Sequence, residues 1–342
     1  MTRRTRPATQ LGALLGCLAI SACRSDQTSG AVAACDHIFN VLYVQCAQAA
    51  PPADEVVRLR QRYELTCQRG LALPGIAVTP AQLTACANQV AADCRLSGAL
   101  GACLQPGTLG SDASCSDSLQ CQSNSCSKPF LFLADSGTSE MLACGSCEPV
   151  IPVGQPCGGS VQGQCAPGTS CDFASGPTCA PPGELGATCT PGSSRGACKA
   201  SLLCDPSSGT CTVPGNAGAR CVGTAACAYP LACTGTPSRT CVSPGHAAAN
   251  CTQDSDCVQG LACDSTSSQC VMVTWARGGQ PCSDTARCLV GDCPTGTAGA
   301  KCPQVIPDGQ PCSAQNPAAA TCDAFASCVD GICSLGAGSN CP

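Results

Sequence analysis

Aromatic side chains are nearly missing from this sequence. Its 342 residues include five phenylalanines, three tyrosines and one tryptophan, 3 % of the total, and charged residues make up only 11 %. A chain of this length could fill two ordinary domain cores. It lacks the large side chains to do so, and modules without a core need disulfides or metal. Histidine is scarcer still: His37 and His246 are the only two, and neither lies in a ligand-like pair or a catalytic motif. A Ser-His-Asp mechanism needs histidine. There is no G-x-G-x-x-G after a strand and no P-loop. Strand and helix patterns do not alternate, so a doubly wound or α/β-barrel enzyme is not supported. The expectation is a protein that is not an enzyme.

Cysteine is abundant instead. There are 38, beside 37 glycines and 27 prolines. That level marks a disulfide scaffold, and disulfides persist in oxidising compartments. The N-terminus agrees. Arg3, Arg4 and Arg6 precede an apolar stretch, LGALLGCLAISA at 11–22, which is too short to span a bilayer and sits where a secretory signal belongs. The stretch ends in Ile20-Ser21-Ala22-Cys23, which resembles the lipobox of bacterial lipoproteins. The resemblance implies lipid on Cys23, a new N-terminus there and attachment to the bacterial envelope. Arg24 stands where an Asp would, by analogy with sorting rules in some bacteria, favour the inner membrane. Leu14-Leu15-Gly16-Cys17 is a rival, with a very short apolar stretch before it. Losing Cys17 and lipidating Cys23 leaves 36 cysteines, an even number that permits complete pairing. Losing residues 1–22 also leaves 14 basic against 22 acidic residues, a net charge of −8. Nucleic-acid binding needs clustered Lys and Arg, so no such partner is expected.

The mature chain divides into a tether at 23–34, a helical domain at 35–106, a first cysteine-rich module at 107–149 and tandem repeats at 150–342. In the helical domain Cys35, Ile38, Leu42 and Cys46 recur at helical spacing, as do Val56, Leu59, Tyr63 and Cys67. Thr79, Pro80 and Gln82 predict the capped start of a third helix, along which Leu83, Cys86, Val90 and Cys94 line one side. Cys35 and Cys46 lie eleven residues apart, close to three turns, so both can face the same partner. With Cys103, six cysteines predict a three-helix bundle with three disulfides. RLRQR at 58–62 reads as a solvated helix face rather than a binding patch.

From Cys115 onward the chain repeats. Module starts at Cys157, Cys189, Cys221, Cys251, Cys282 and Cys312 are separated by 32, 32, 30, 31 and 30 residues, the mark of a repeat array. The remaining cysteines follow each start: Cys165, Cys171 and Cys179; Cys198, Cys204 and Cys211; Cys227, Cys233 and Cys241; Cys257, Cys263 and Cys270; Cys288, Cys293 and Cys302; Cys322, Cys328 and Cys333. Cys341 stands near the end. The fold expected is a small disulfide-rich array of short β-hairpins and loops preceded by the helical bundle.

CSDSLQCQSNSC, with Cys115, Cys121 and Cys126, followed by Cys144-Gly145-Ser146-Cys147, resembles the Dickkopf N-terminal cysteine-rich domain. CTQDSDCVQGLAC at 251–263 is similar. The matching residues are structural cysteines and turn residues, so the resemblance implies a module fold and carries no activity over. The layout as a whole looks like cysteine-rich surface lipoproteins of bacteria.

These thiols read as staples rather than metal ligands. Structural zinc favours paired C-x2-C units or Cys/His sets, and only Cys144 to Cys147 has that short spacing. Asp254 and Asp256 are too few for a calcium loop and suit turn formation. No cofactor is expected. All 36 cysteines should pair, six within 35–103 and thirty within 115–341, so neither region needs the other. Four cysteines permit three pairings. For Cys251, Cys257, Cys263 and Cys270 we favour first with third and second with fourth, which interlocks two loops and resembles the crossed pairing of many small extracellular modules. Pairing neighbours would leave the halves of the module uncoupled. Phe130 and Phe132 in KPFLFLADSG, and Trp275 in VMVTWARGG, are the candidate contacts for an envelope partner. The plainer reading is that they cover disulfides or pack between modules. A lipid-anchored structural or interaction protein is the leading function; an inhibitor or enzyme with an unadvertised site is the alternative.

Overall fold

The computed structural model describes residues 29–47, 49–94, 103–133, 138–158, 161–173, 176–190, 198–199, 201–222, 226–234, 239–294, 299–312, 320–329, 331–335 and 341. Three helices come first. α1 is helical from residue 29, the first described, and ends in a π-helical stretch, Asn40–Gln45. α2 spans Ala53–Leu71 and α3 spans Pro80–Ala92. Asp54 and Glu55 in the first turn of α2 complement the positive end of its dipole. α3 starts as its sequence predicts. The Gln82 N–H donates to Thr79 Oγ1 at 3.3 Å, the Thr79 N–H donates back to Gln82 Oε1 at 2.9 Å, and Pro80 occupies the first turn. Ala34, Cys35, Ile38, Val41, Val78, Leu83, Ala87 and Val90 form the core of this hub.

Two expectations need correction here. The tether does not run to residue 34, because 29–34 are already helical and Ala34 is buried in the hub core. Ala31, Ala33 and Ala34, which read as part of a flexible spacer, are the residue type with the highest helix propensity. Nor do Cys35 and Cys46 share a partner. Cys35 bonds Cys67 of α2, and Cys46 bonds Cys94 just beyond α3. A π turn takes more residues than an α turn, so Asn40–Gln45 rotates Cys46 off the face of Cys35. The third hub disulfide is Cys86–Cys103.

Seven modules follow, each built on crossed disulfides. Module 1 joins Cys115 to Cys126 and Cys121 to Cys147. Modules 2 to 4 join Cys157–Cys171 with Cys165–Cys179, Cys189–Cys204 with Cys198–Cys211, and Cys221–Cys233 with Cys227–Cys241. Module 5 has the favoured pairing, Cys251–Cys263 and Cys257–Cys270. Modules 6 and 7 repeat it, with Cys282–Cys293 and Cys288–Cys302, then Cys312–Cys328 and Cys322–Cys333. The last two cysteines, Cys144 and Cys341, bond each other across 197 residues.

Hydrogen bonding explains why cysteine spacing recurs. In modules 2, 3, 4, 5 and 7 a short antiparallel hairpin places the third and fourth cysteines directly opposite, as in Cys263↔Cys270 and Cys328↔Cys333. Opposed residues point to the same face, yet neither bonds the other; each reaches to the first or second cysteine. Four sulfurs thereby fill each module's centre, and in modules 4 and 5 the buried cluster consists of the four cysteines alone. The preceding linker adds a parallel contact at each second cysteine, as in Gly215↔Cys227, Gly245↔Cys257 and Ala276↔Cys288.

Three residues before each first cysteine the backbone turns to positive φ and its N–H reaches the fourth cysteine's carbonyl. Gly154, Gly186, Gly218, Gly279 and Gly309 occupy this place, with N···O distances of 2.7–2.8 Å. Module 5 puts Ala248 there, at φ 65°. An L-residue in this region costs about 1–2 kcal/mol. Glycine there has nothing to clash with and costs only its greater chain entropy. Ala248→Gly is therefore expected to stabilise module 5 by roughly 0.5–1 kcal/mol, read as a higher denaturant midpoint of the oxidised protein.

Candidate functional site

The hub does not stand apart from the array. Of RLRQR, Arg58 and Arg62 face module 7, while Arg60 turns to Asp36 and Asn40 of α1 and Gln61 stays exposed. Arg58 Nη1 donates to Asp323 Oδ1 at 2.7 Å, Arg62 holds Asp308 at 2.9 Å with both terminal nitrogens, and Arg62 Nε donates to the Ala324 carbonyl at 2.8 Å. Arg69 Nη1 reaches the Leu335 carbonyl at 2.6 Å. Helical periodicity alone cannot show that a chain returns some 265 residues later to cover a face. Further contacts come from other modules. Gln259 Nε2 of module 5 lies 2.9 Å from the carbonyl oxygens of Val44, Gln45 and Ala47, at the open end of α1. Module 1 meets the hub through Gln120 Nε2 donating to Pro74 O at 2.7 Å.

The scarce aromatic residues concentrate at this junction. Phe39, Tyr43 and Tyr63 pack together on the hub, and Phe325 of module 7 meets both tyrosines edge-on, with centroids 5.3 Å away in each case. Burial raises the pKa of both tyrosines, so the cluster stays neutral. Phe325 has φ 64°, three residues after its module's second cysteine. Gly168, Gly260 and Gly291 hold the same place in modules 2, 5 and 6. A bulky side chain in the left-handed region is a true outlier, and here it is the one whose ring docks on the hub.

Trp275 also takes the packing role. Its Nε1 donates to Ala50 O of the hub at 3.1 Å, and neighbouring Arg277 lies near Asp54 and Glu55 at 3.5 and 3.4 Å. The linker that carries them has eleven residues between cysteines instead of nine. Phe130 and Phe132 lie on one strand of a hairpin inserted in module 1, Phe130–Leu133 paired with Thr138–Met141; their side chains fall outside the described residues. Cys23 does as well.

A cleft of about 810 Å³ separates modules 5 and 6, lined among others by Asp254, Asp264, Ser265, Asp284 and Arg287. Its polar groups are largely engaged with one another. Arg287 pairs with Asp254, the Ser265 hydroxyl meets Asp284, and Asp254 Oδ1 accepts the Cys263 N–H at 2.9 Å. Asp256, buried behind the cleft, accepts the Thr252 N–H at 2.8 Å and its hydroxyl at 2.9 Å. Both aspartates shape the loop, as turn residues do. Neither histidine lines the cleft; His37 Nε2 lies 2.8 Å from Asn88 Oδ1 on the hub.

Sulfur atoms of three cysteines lie within 4.8 Å of one another in several modules, for example Cys251, Cys257 and Cys270. All belong to disulfides, and metal binding needs the thiolate. Cys144-Gly145-Ser146-Cys147 splits between two bonds, to Cys341 and Cys121, so it is not a C-x-x-C redox pair.

Asp205 and Asp264 each follow a third cysteine and turn the hairpin. Asp205 accepts the Ser207 N–H and the Ser208 hydroxyl, and Asp264 accepts the Ser267 hydroxyl and the Thr266 N–H. These bonds hold both carboxyls below the ordinary carboxylate range. A depressed folded pKa contributes stability above the unfolded value of about 3.9, lost as pH falls through the folded value. Carboxyl NMR titration should find both below that reference, and Ser267→Ala should move Asp264 back towards it.

No family model, curated protein or solved structure matches the chain. The extensive disulfides suit an oxidising, extracytoplasmic setting, and among the described residues no helix is long and apolar enough to cross a membrane.

Proposed function

We propose that this is a non-enzymatic, lipid-anchored protein of the bacterial envelope whose stapled array serves a structural or protein-interaction role. One observation supports the anchor beyond the lipobox-like Ile20-Ser21-Ala22-Cys23. All 36 cysteines from Cys35 onward have partners among themselves, as the eighteen pairs above record, so none remains for Cys23. A thioether and amide-linked lipid is the use that this leaves for it. The Dickkopf-like spacing of module 1 fits the same reading as a stapled unit. Residue 29, the first described residue of α1, comes six positions after Cys23. At ~3.3–3.6 Å per extended residue the hub would sit within about 20 Å of the lipid.

Labelled fatty acid is expected to enter the protein made in its native host. Cys23→Ser should abolish the labelling and release the protein from membranes. Unchanged labelling in the variant would remove the proposal's foundation. Crosslinked pull-down of the lipidated protein would then test the interaction role.

A further inference from the structure

We propose that the Cys144–Cys341 disulfide is a redox latch that keeps the array closed over the arginine face of α2. The other disulfides lie inside the hub or inside one module, across 11–48 residues. This one alone joins the two ends of the array, across 197 residues. Neither cysteine belongs to any module's four-sulfur centre.

That difference sets what reduction does. A module disulfide has a companion crossing it, which keeps the freed thiols close and favours re-formation at high effective concentration. Cys144 and Cys341 have no such companion bond. Once they are reduced, the contacts among the described residues that still hold module 7 against the hub are noncovalent. Those contacts are the Asp323 and Asp308 pairs with Arg58 and Arg62, the Arg69 bond to Leu335 and the Phe325 ring. The step is an ordinary exchange. A dithiol reductant supplies two electrons and two protons and becomes a disulfide, while Cys144 and Cys341 become thiols. Modules and hub keep their own bonds. Reduction thereby raises the share of molecules in which module 7 swings away and uncovers Arg58, Arg62 and Tyr63.

The test is graded reduction of the whole oxidised protein with a dithiol, followed by alkylation mapping and brief trypsin digestion. Alkylation should mark Cys144 and Cys341 before any module cysteine. Cleavage after Arg58 and Arg62 should then accelerate by about tenfold or more, because it follows the population of the opened form. Cys144→Ser/Cys341→Ser should show the same acceleration without reductant while its seventeen other disulfides remain by mass. Labelling of module cysteines first, or unchanged cleavage once both latch cysteines are labelled, would overturn the proposal. Should the double variant fail to accumulate, graded reduction of the unaltered protein decides between these outcomes.

Discussion

Full reduction is expected to erase the order of modules 1 to 7 while leaving much of the hub's helix. The reason lies in what each core is made of. In module 4 the buried cluster is Cys221, Cys227, Cys233 and Cys241, with only Ala219, Ala226 and Leu231 packed against it. Burying a large aliphatic side chain contributes about 1.5–3 kcal/mol, and among the described residues no module buries more than one. Losing one native disulfide from a small secreted domain costs about 2–5 kcal/mol, and here both go together. The hub buries Ile38 and Val41 of α1, Leu83 and Val90 of α3 and Val78 just before α3, with Tyr63, Cys67 and Leu71 of α2 packed against them. Far-UV circular dichroism of the intact protein should therefore lose its hairpin contribution and keep a helical remainder. Proteolysis should degrade the array first. An array that stayed protease-resistant with every thiol alkylated would contradict this account.

Phe325→Gly is expected to weaken the junction of module 7 with the hub without unfolding the module. Glycine relieves the positive φ that Phe325 tolerates, and other modules already carry glycine at this place. What is lost is the ring between Tyr43 and Tyr63. Truncating a buried Phe costs about 3–5 kcal/mol. Because Phe325 is only partly buried and the backbone relaxes, a net loss of roughly 2–3 kcal/mol at the junction follows. Near-ultraviolet dichroism of the tyrosines should weaken, while the Cys312–Cys328 and Cys322–Cys333 bonds still form. If the variant instead lost those bonds, the strained residue would be serving the module and not the junction.

Much of the architecture was legible in cysteine spacing because each module is local. A crossed pair within thirty residues leaves its period in the chain, and the Thr79-Pro80-Gln82 cap is likewise a short-range pattern. What lay beyond reach was every contact between distant segments. RLRQR carries four polar residues around Leu59 in either setting; only Asp308 and Asp323, some 250 residues later, decide that Arg58 and Arg62 are covered. Cys144 and Cys147 looked alike in sequence because spacing does not say which sulfur a fold will carry to its other end. Trp275 had a weak clue, the two extra residues of its linker, which give the chain room to reach Ala50.

The crossed pairing also governs how the protein can be made. None of the eighteen bonds joins cysteines that are consecutive in the chain. An oxidase acting on the polypeptide as it emerges joins each thiol to the one just before it, the product with the shortest loop to close. For this chain that product is wrong at every position. Biogenesis therefore depends on reshuffling, and a host that oxidises quickly but lacks a disulfide isomerase should yield protein of the right mass and the wrong shape.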